Sequence, residues 1–324
     1  MPNSKTTFAN IKREIIKKQD ALDKIHAARM AVGEHRTLPS PIYARGVELI
    51  APPAEHRTFK LLAQGDSWFD YPPGTDLIHC LHEKHGHTIS NIAVAGSTLN
   101  DEAYGPVPRE LFGLPNIGPR LSNDPSRIAE LIHRICADRP DALLLSAGGN
   151  DVAGDAFFSF INNALSGLTS VNRKTLDGVV NTTFRTAYKF MIQRALEASE
   201  EAGIKMPIFL HGYDYPWPDG RGLLNFIGWR IGPWFDDTFN HKNYQNKSSE
   251  DLLKRHEIIK LFIDEINVMQ QNLVIMPKFL NKVFHVDLRG TLLSRNDWAN
   301  ELHPNNDGFA MLAAKINYAL QANI

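Results

Sequence analysis

The sequence predicts an α/β fold in which helices cover both faces of a parallel β-sheet. Five short apolar runs occur at 59–64, 88–94, 142–148, 207–213 and 283–288, and runs of this length are typical of strands that are buried on both faces. Helix-like segments near 76–85, 126–138, 172–202, 249–273 and 307–321 alternate with these runs. Such alternation is the pattern of parallel strands joined by crossover helices.

The first 57 residues differ in character from the rest of the chain. Residues 8–31 carry an imperfect apolar stripe among many charges, which predicts an amphipathic helix. Four prolines follow within residues 37–55 and predict a linker. We therefore divide the chain into an N-terminal helix and linker at 1–57 and a main domain at 58–324, with insertions at about 152–202 and 213–248. The N-terminal helix could contact a partner, although packing on its own chain is the expectation.

Composition excludes several functional classes. The 324 residues include 35 Lys and Arg against 36 Asp and Glu, for a net charge of -1, which gives no general attraction to nucleic acid or anionic membranes. The N-terminus lacks the apolar run of a signal peptide, and no stretch approaches the ~20 apolar residues of a membrane span. The sequence thus predicts a cytoplasmic protein, and export without a cleaved signal would leave no mark on it. Cys80 and Cys136 are expected to be buried free thiols, with one disulfide as the alternative.

Small polar residues follow three of the predicted strands. Ser67 lies in "QGDSWFDYPPG" after the first strand, Gly96 in "AVAGSTLND" after the second, and Asn150 in "LLLSAGGNDVAGD" after the third. The carboxyl ends of parallel strands meet at one edge of a sheet. The Ser67 and Gly96 N–H groups and the Asn150 amide could therefore point at one developing negative charge, as the donors of an oxyanion hole do.

The blocks "GDS" at Ser67, "AG" at Gly96, "GGND" at Asn150 and "LHP" at His303 resemble, in their order, those of the SGNH hydrolases, also called GDSL esterases and lipases. The resemblance covers roughly residues 58–321. It implies a flavodoxin-like three-layer sandwich with five central parallel strands and a serine hydrolase that needs no cofactor. It also implies that Ser67 is the nucleophile, that His303 is the general base, and that Ser67, Gly96 and Asn150 form the oxyanion hole.

Two positions depart from the family pattern. Trp68 and Phe69 stand where leucine is common, and we expect them to narrow or line the pocket. Asn300 stands where the family has an aspartate, three residues before the histidine. A base histidine needs an acceptor at its second ring nitrogen. Asn300 is the favoured candidate, with Asp297, Glu301 and a backbone carbonyl as alternatives.

The stretch "CLHEKHGH" gathers Cys80, His82, His85 and His87. His82 and His85 would share one face of a helix and could hold zinc. The pattern is not His-Glu-x-x-His, so surface histidines at a helix end are the favoured interpretation, and we expect no metal site.

Two further segments are expected near the site. Residues 213–235 contain three of the five tryptophans among glycines and prolines, which predicts a long ordered loop. It could line a pocket for an acyl chain or a sugar, or it could form a small core of its own. Residues 152–202 directly follow Asn150 and could form a cap over the site.

The sequence favours a carboxylic-ester hydrolase whose substrate is a small-molecule, lipid or carbohydrate ester. A non-catalytic binding protein with the same fold is the alternative from another class, since Asn300 leaves the triad incomplete. A zinc enzyme built on the histidine cluster is a weaker alternative. Turnover of an activated short-chain ester, with and without a chelator, separates the three.

Overall fold

The computed structural model describes residues 56–71, 74–105, 109–111, 114–116, 126–226 and 229–324. The described residues up to Asp70 and from Thr75 onward belong to one compact unit. The predicted helix at 8–31 and the linker before residue 56 lie outside the described residues, so the domain boundary near residue 57 stays a prediction. No helix in the described part of the chain is long and apolar enough to cross a membrane.

The central layer is a parallel sheet. In chain order, the strands in the described residues are β1 (Lys60–Gly65), β2 (Thr88–Asn91), β3 (Arg109–Leu111), β4 (Leu114–Asn116), β5 (Ala142–Ser146), β6 (Ile208–His211), β7 (Leu224–Phe226), β8 (Trp229–Ile231) and β9 (Val283–Val286). Five of them form one sheet in the order β2-β1-β5-β6-β9, and every pairing in it is parallel. Counted within that sheet, the order is the flavodoxin-like 2-1-3-4-5. The predicted fold class is confirmed.

Helices cover both faces of this sheet. In chain order, the helices in the described residues are α1 (Leu77–His85), α2 (Leu99–Tyr104), α3 (Arg127–Asp138), α4 (Gly149–Val152), α5 (Phe157–Phe160), α6 (Arg173–Gly178), α7 (Arg185–Glu201), α8 (Asp236–His241), α9 (Ser249–Val274) and α10 (Asn306–Asn323). The chain moves outward from β1 to β2 and then back past β1 to β5, β6 and β9. Because crossovers are right-handed, this reversal sends α1 to the face opposite α3, α7 and α9. In agreement, α1 packs against α10, and α3 packs against α7.

The segment 152–202 is only partly an insertion. A π-helix over Val179–Phe184 joins α6 to α7, and α7 is the crossover helix between β5 and β6. Tyr188 on α7 is fully buried and donates a hydrogen bond of 2.7 Å to the Ala147 carbonyl at the end of β5. The prediction of a cap therefore fails for α7, because its apolar face covers the sheet.

The stretch 213–235, which was expected to be a long ordered loop, contains the antiparallel hairpin β7–β8. Helix α8 follows it within the insertion at 213–248. Phe235 and Phe239 from this segment pack their rings against Phe157 of α5, at centroid distances of 5.0 and 5.2 Å. An aromatic cluster thus joins the two segments that were predicted as insertions.

Two expectations about individual side chains are corrected. Cys136 is exposed, whereas Cys80 is buried, and both are free thiols. On α3 the buried positions include Leu131 and Ile135, which are four residues apart and share a face. Cys136 follows Ile135 by one residue and so points away from that face.

His87 is also buried and is not the surface histidine that was expected. Its Nδ1 accepts from the Phe59 N–H at 3.1 Å, and its Nε2 lies 2.9 Å from the Asn317 side-chain oxygen. Both ring nitrogens therefore hold the start of β1 to α10. His82 is exposed and His85 half-buried.

Candidate active site

The site lies where three strands of the sheet end. Ser67 follows β1 by two residues, Gly96 follows β2 by five, and Asn150 follows β5 by four. These strands are neighbours in the order β2-β1-β5. The connections leave β1 and β5 in opposite directions, which makes this the switch point where α/β sheets form a crevice for ligands.

The loop before α10 brings His303 to Ser67. The His303 Nε2 atom lies 2.7 Å from the Ser67 hydroxyl oxygen, although the two residues are 236 positions apart. An antiparallel bridge between Trp298 and Pro304 closes this loop at its base. The sequence blocks that predicted Ser67 and His303 therefore meet in space at hydrogen-bond distance.

Asn300 holds the other side of the His303 ring. Its side-chain oxygen lies 3.0 Å from His303 Nδ1 and also accepts from the backbone N–H groups of Leu302 and His303, each at 2.9 Å. Two backbone donors identify this atom as the amide oxygen. Nδ1 must then carry the ring hydrogen, so the lone pair of Nε2 faces Ser67.

The other candidates for this position bond elsewhere. A carboxylate oxygen of Asp297 accepts from the Ser294 N–H at 2.8 Å and caps a 3-10 turn. Glu301 is fully buried and accepts from four backbone N–H groups, those of Gly220, Trp234, Phe235 and Asp236. The geometry thus favours Asn300 among the alternatives that the sequence left open, and its role stays a prediction.

Burial controls the ionisation of the imidazole. His303 is 3 % exposed, and burial lowers its pKa to about 3. Asn300 is neutral and does not oppose this shift as a carboxylate would. His303 is therefore unprotonated at neutral pH and can accept a proton from the Ser67 hydroxyl.

The turn that carries Ser67 is held on both sides. Asp66 is buried, and its carboxylate accepts from the Trp68 N–H and the Ser146 hydroxyl, each at 3.0 Å. Burial raises the pKa of Asp66 to about 6, although these hydrogen bonds and one from Tyr213 oppose the rise. On the other side, the Trp68 indole N–H donates to the Leu302 carbonyl at 3.0 Å. The turn that carries Ser67 is thereby fixed to β5 and to the loop of His303.

The predicted oxyanion donors lie in adjoining loops. The Asn150 amide donates to the Ser97 carbonyl at 2.9 Å, which joins its loop to the loop of Gly96. Gly96 has a φ of +81°, a value that favours glycine, and a Cβ added there would meet no atom within 4 Å. A side chain would thus fit the space but would strain the backbone.

A small cavity of about 30 Å³ adjoins Ser67. Its polar lining includes Asp66, Ser67, Asn150, Tyr213 and Asp214, and its apolar lining includes Trp68, Val152, Pro216, Phe235, Ile263 and Leu302. The Asp214 carboxylate accepts from the backbone N–H groups of Tyr215, Gly290 and Leu292, so its charge is already compensated. Trp68 lines the cavity as expected, whereas Phe69 is not among its lining residues and packs against His211.

No protein-family model and no curated protein matches the chain. Several solved structures do match the chain. A protein of Slackia heliotrinireducens that is described as an SGNH hydrolase is 14% identical, with a TM-score of 0.41 over 82% of this chain and 100% of that one. Est24, a carbohydrate acetylesterase from Sinorhizobium meliloti, is 12% identical, with a TM-score of 0.45 over 82% of this chain and 99% of that one. A lipase from a goat rumen metagenome is 13% identical, with a TM-score of 0.42 over 82% and 97%.

Sequence reasoning missed the contacts that three residues make at the site, although it named Glu301 as a possible partner of His303. Tyr213 contacts the loops of Ser67 and Asn150, the Trp234 ring lies edge-on to His303 at 5.6 Å, and Glu301 anchors the segment around Trp234. Each has a partner more than 60 positions away in the chain. The only local signal was the concentration of aromatic residues at 213–235.

Proposed function

We propose that the protein hydrolyses carboxylic esters through an acyl-enzyme on Ser67. The observation that carries this proposal is the continuous hydrogen-bonded series from Ser67 through His303 to Asn300, with the Nε2 lone pair facing the hydroxyl. A base within 2.6–3.2 Å of the hydroxyl is the geometry of an activated nucleophile.

The residues supply each proton step. His303 Nε2 takes the Ser67 proton as the serine oxygen attacks the ester carbonyl, and the imidazolium returns that proton to the departing alkoxide. Water then attacks the acyl-enzyme by the same route and releases the acid and free Ser67. Oxyanion charge is stabilised by the Ser67 and Gly96 N–H groups and by the Asn150 amide, which retains a second hydrogen beside the one given to Ser97. No step requires a metal or an organic cofactor.

The cavity beside Ser67 favours a short acyl group. A space of about 10–15 Å³ holds one water molecule. The observed 30 Å³ therefore holds about two groups of the size of a water molecule or a methyl group. Its apolar walls and its compensated carboxylates suit a small apolar substituent on the carbonyl. An acetyl or propionyl ester fits this description.

Substitution of the nucleophile tests the proposal. We expect Ser67→Ala to lower turnover of p-nitrophenyl acetate by about 10⁴-fold or more with an unchanged circular dichroism spectrum. A serine-reactive phosphonate should add to Ser67 alone, as located by mass spectrometry. A folded wild type without turnover would favour the non-catalytic binding protein, and activity lost on chelation and restored by zinc would favour the zinc enzyme.

An ester series tests the acyl group separately. We expect kcat/KM to be highest for acyl chains of two or three carbons and to fall for chains of six or more. Ile263→Ala should extend the accepted length, because Ile263 lines the cavity from the long helix α9. A wild type that prefers long chains would refute the short acyl pocket while leaving the esterase assignment intact.

A further inference from the structure

Tyr213 has an unusual backbone conformation beside the site. It follows β6 by two residues and has a φ of +70°, a region that bulky side chains rarely adopt. The residue is 4% exposed. Strained conformations of this kind persist only where surrounding contacts hold them, and they concentrate at functional sites.

The phenol oxygen of Tyr213 bridges two loops of the site. It donates to the Asp66 carboxylate at 2.5 Å and accepts from the Gly149 N–H at 3.0 Å. Asp66 immediately precedes Ser67, and Gly149 immediately precedes Asn150. The Tyr213 phenol oxygen therefore links Asp66, the residue before the proposed nucleophile, to Gly149, the residue before a proposed oxyanion donor.

The surroundings of the ring fit this bridge closely. A Cβ at Gly149 would lie 3.0 Å from Tyr213 Cζ, so the glycine allows the phenol to reach the backbone N–H. The Trp68 ring meets the Tyr213 ring edge-on at 5.0 Å. Because Trp68 directly follows Ser67, Tyr213 contacts the residues on both sides of the nucleophile.

We propose that Tyr213 is a positioning residue that fixes Ser67 and Asn150 relative to each other, an inference that rests on the proposed function. Attack by Ser67 and stabilisation of the oxyanion by Asn150 must occur at the same carbonyl. A displacement of about 1 Å in such a pair can cost on the order of 10²-fold in rate. Tyr213 acts through Asp66 and Gly149, and both of its hydrogen bonds are made within the protein.

Removal of the phenol oxygen alone is the test. We expect Tyr213→Phe to lower kcat for a short-chain ester by about 10- to 100-fold, with KM within about threefold of wild type. Turnover is expressed per active serine, titrated with the phosphonate, so that a smaller folded fraction does not imitate the effect. A merely structural role would lower the active fraction and leave kcat per titrated serine unchanged.

Tyr188→Phe is the matched control. Tyr188 is also buried, donates to the Ala147 carbonyl and accepts from the Gln270 amide, so its variant also loses two hydrogen bonds of a buried phenol. We expect its melting temperature to fall while kcat per titrated serine is unchanged. Equal loss of kcat in the two variants, or kcat within twofold of wild type in Tyr213→Phe, would overturn the proposal.

Gly149→Ala tests the same bridge if Tyr213→Phe does not fold. Its methyl group displaces the ring, so we expect a similar fall in kcat. Where both single variants fold, the double variant should lose no more kcat than the more impaired of the two. Additive losses would show that the two residues act independently and would overturn the bridge. A folded wild type without ester turnover would overturn the proposed function instead, and the rate of phosphonate addition to Ser67 would still compare the variants.

Discussion

A neutral partner sets the chemistry of His303. The Asn300 oxygen orients the imidazole as a carboxylate would, since three N–H groups converge on it. It offers no charge to stabilise the imidazolium that forms in the proposed mechanism. The cost is a less basic histidine, and the gain is a base that stays unprotonated well below neutral pH, in keeping with a pKa of about 3.

Asn300→Asp should move the acid limb of kcat/KM to higher pH. A carboxylate beside the ring favours the protonated imidazole and raises its pKa by about one to three units. His303 is then protonated, and activity falls, at a higher pH than in wild type. At pH values above this transition, turnover is retained or increased. Asn296→Asp is the control, because it adds the same charge at an exposed position of the same loop. Coincident pH profiles for the two variants would mean that His303 does not govern the acid limb.

At the scale of elements, Glu301 joins the segment 213–248 to the loop of His303. Its carboxylate accepts from four backbone N–H groups of that segment, one at Gly220 and three at the consecutive residues 234–236. Trp234 is among these donors, and its ring lies against His303. The loop that carries His303 and the segment that lines the cavity are therefore held as one structure.

We expect Glu301→Gln to destabilise the protein by about 2–4 kcal/mol. An amide in place of the carboxylate turns an NH₂ group toward backbone donors and leaves at least one of them without an acceptor. Urea unfolding should show a lower midpoint, and turnover should fall as Trp234 is released. Glu250→Gln removes a carboxylate from an exposed i,i+4 pair with Lys254, and its midpoint should match wild type. A Glu301→Gln midpoint equal to wild type would show that the carboxylate is not needed as an acceptor.

Local sequence patterns predicted the strands of the sheet but did not predict the long-range contacts. Each of the five predicted runs became a strand. The last four runs continue two or three residues past the end of their strands, whereas β1 ends one residue after its run. Residues such as Val94, Gly148 and Tyr213 are apolar or small, yet they lie in the loops that follow the strands. Ser67, Asn150 and His303 could be found because each lies in a short block. The bridge of Tyr213 depends on Asp66, 147 positions away, and no local pattern encodes it.

At the scale of the whole molecule, the sheet order assembles the site. Because β1 lies between β2 and β5, the loops of Gly96, Ser67 and Asn150 emerge side by side. The chain then adds β6 and β9 on the far side of β5, and the loop after β9 returns to Ser67 with His303. Every residue of the proposed mechanism therefore lies after residue 58.

A chain shortened to residues 56–324 should fold and keep its ester turnover. The boundary matters because Arg57 is joined to Gln321 of α10: its N–H donates to the Gln321 side-chain oxygen at 3.2 Å, and its carbonyl accepts from the Gln321 amide at 2.6 Å. A chain that begins at residue 59 lacks both bonds and leaves the amide of Gln321, a residue only 6% exposed, without this partner. It should therefore be less stable by about 1–3 kcal/mol. Urea midpoints and p-nitrophenyl acetate turnover of the two shortened chains and the full chain measure this. If the 56–324 chain is insoluble or inactive while the full chain is active, then the first 55 residues belong to the folded domain and the boundary near residue 57 is wrong.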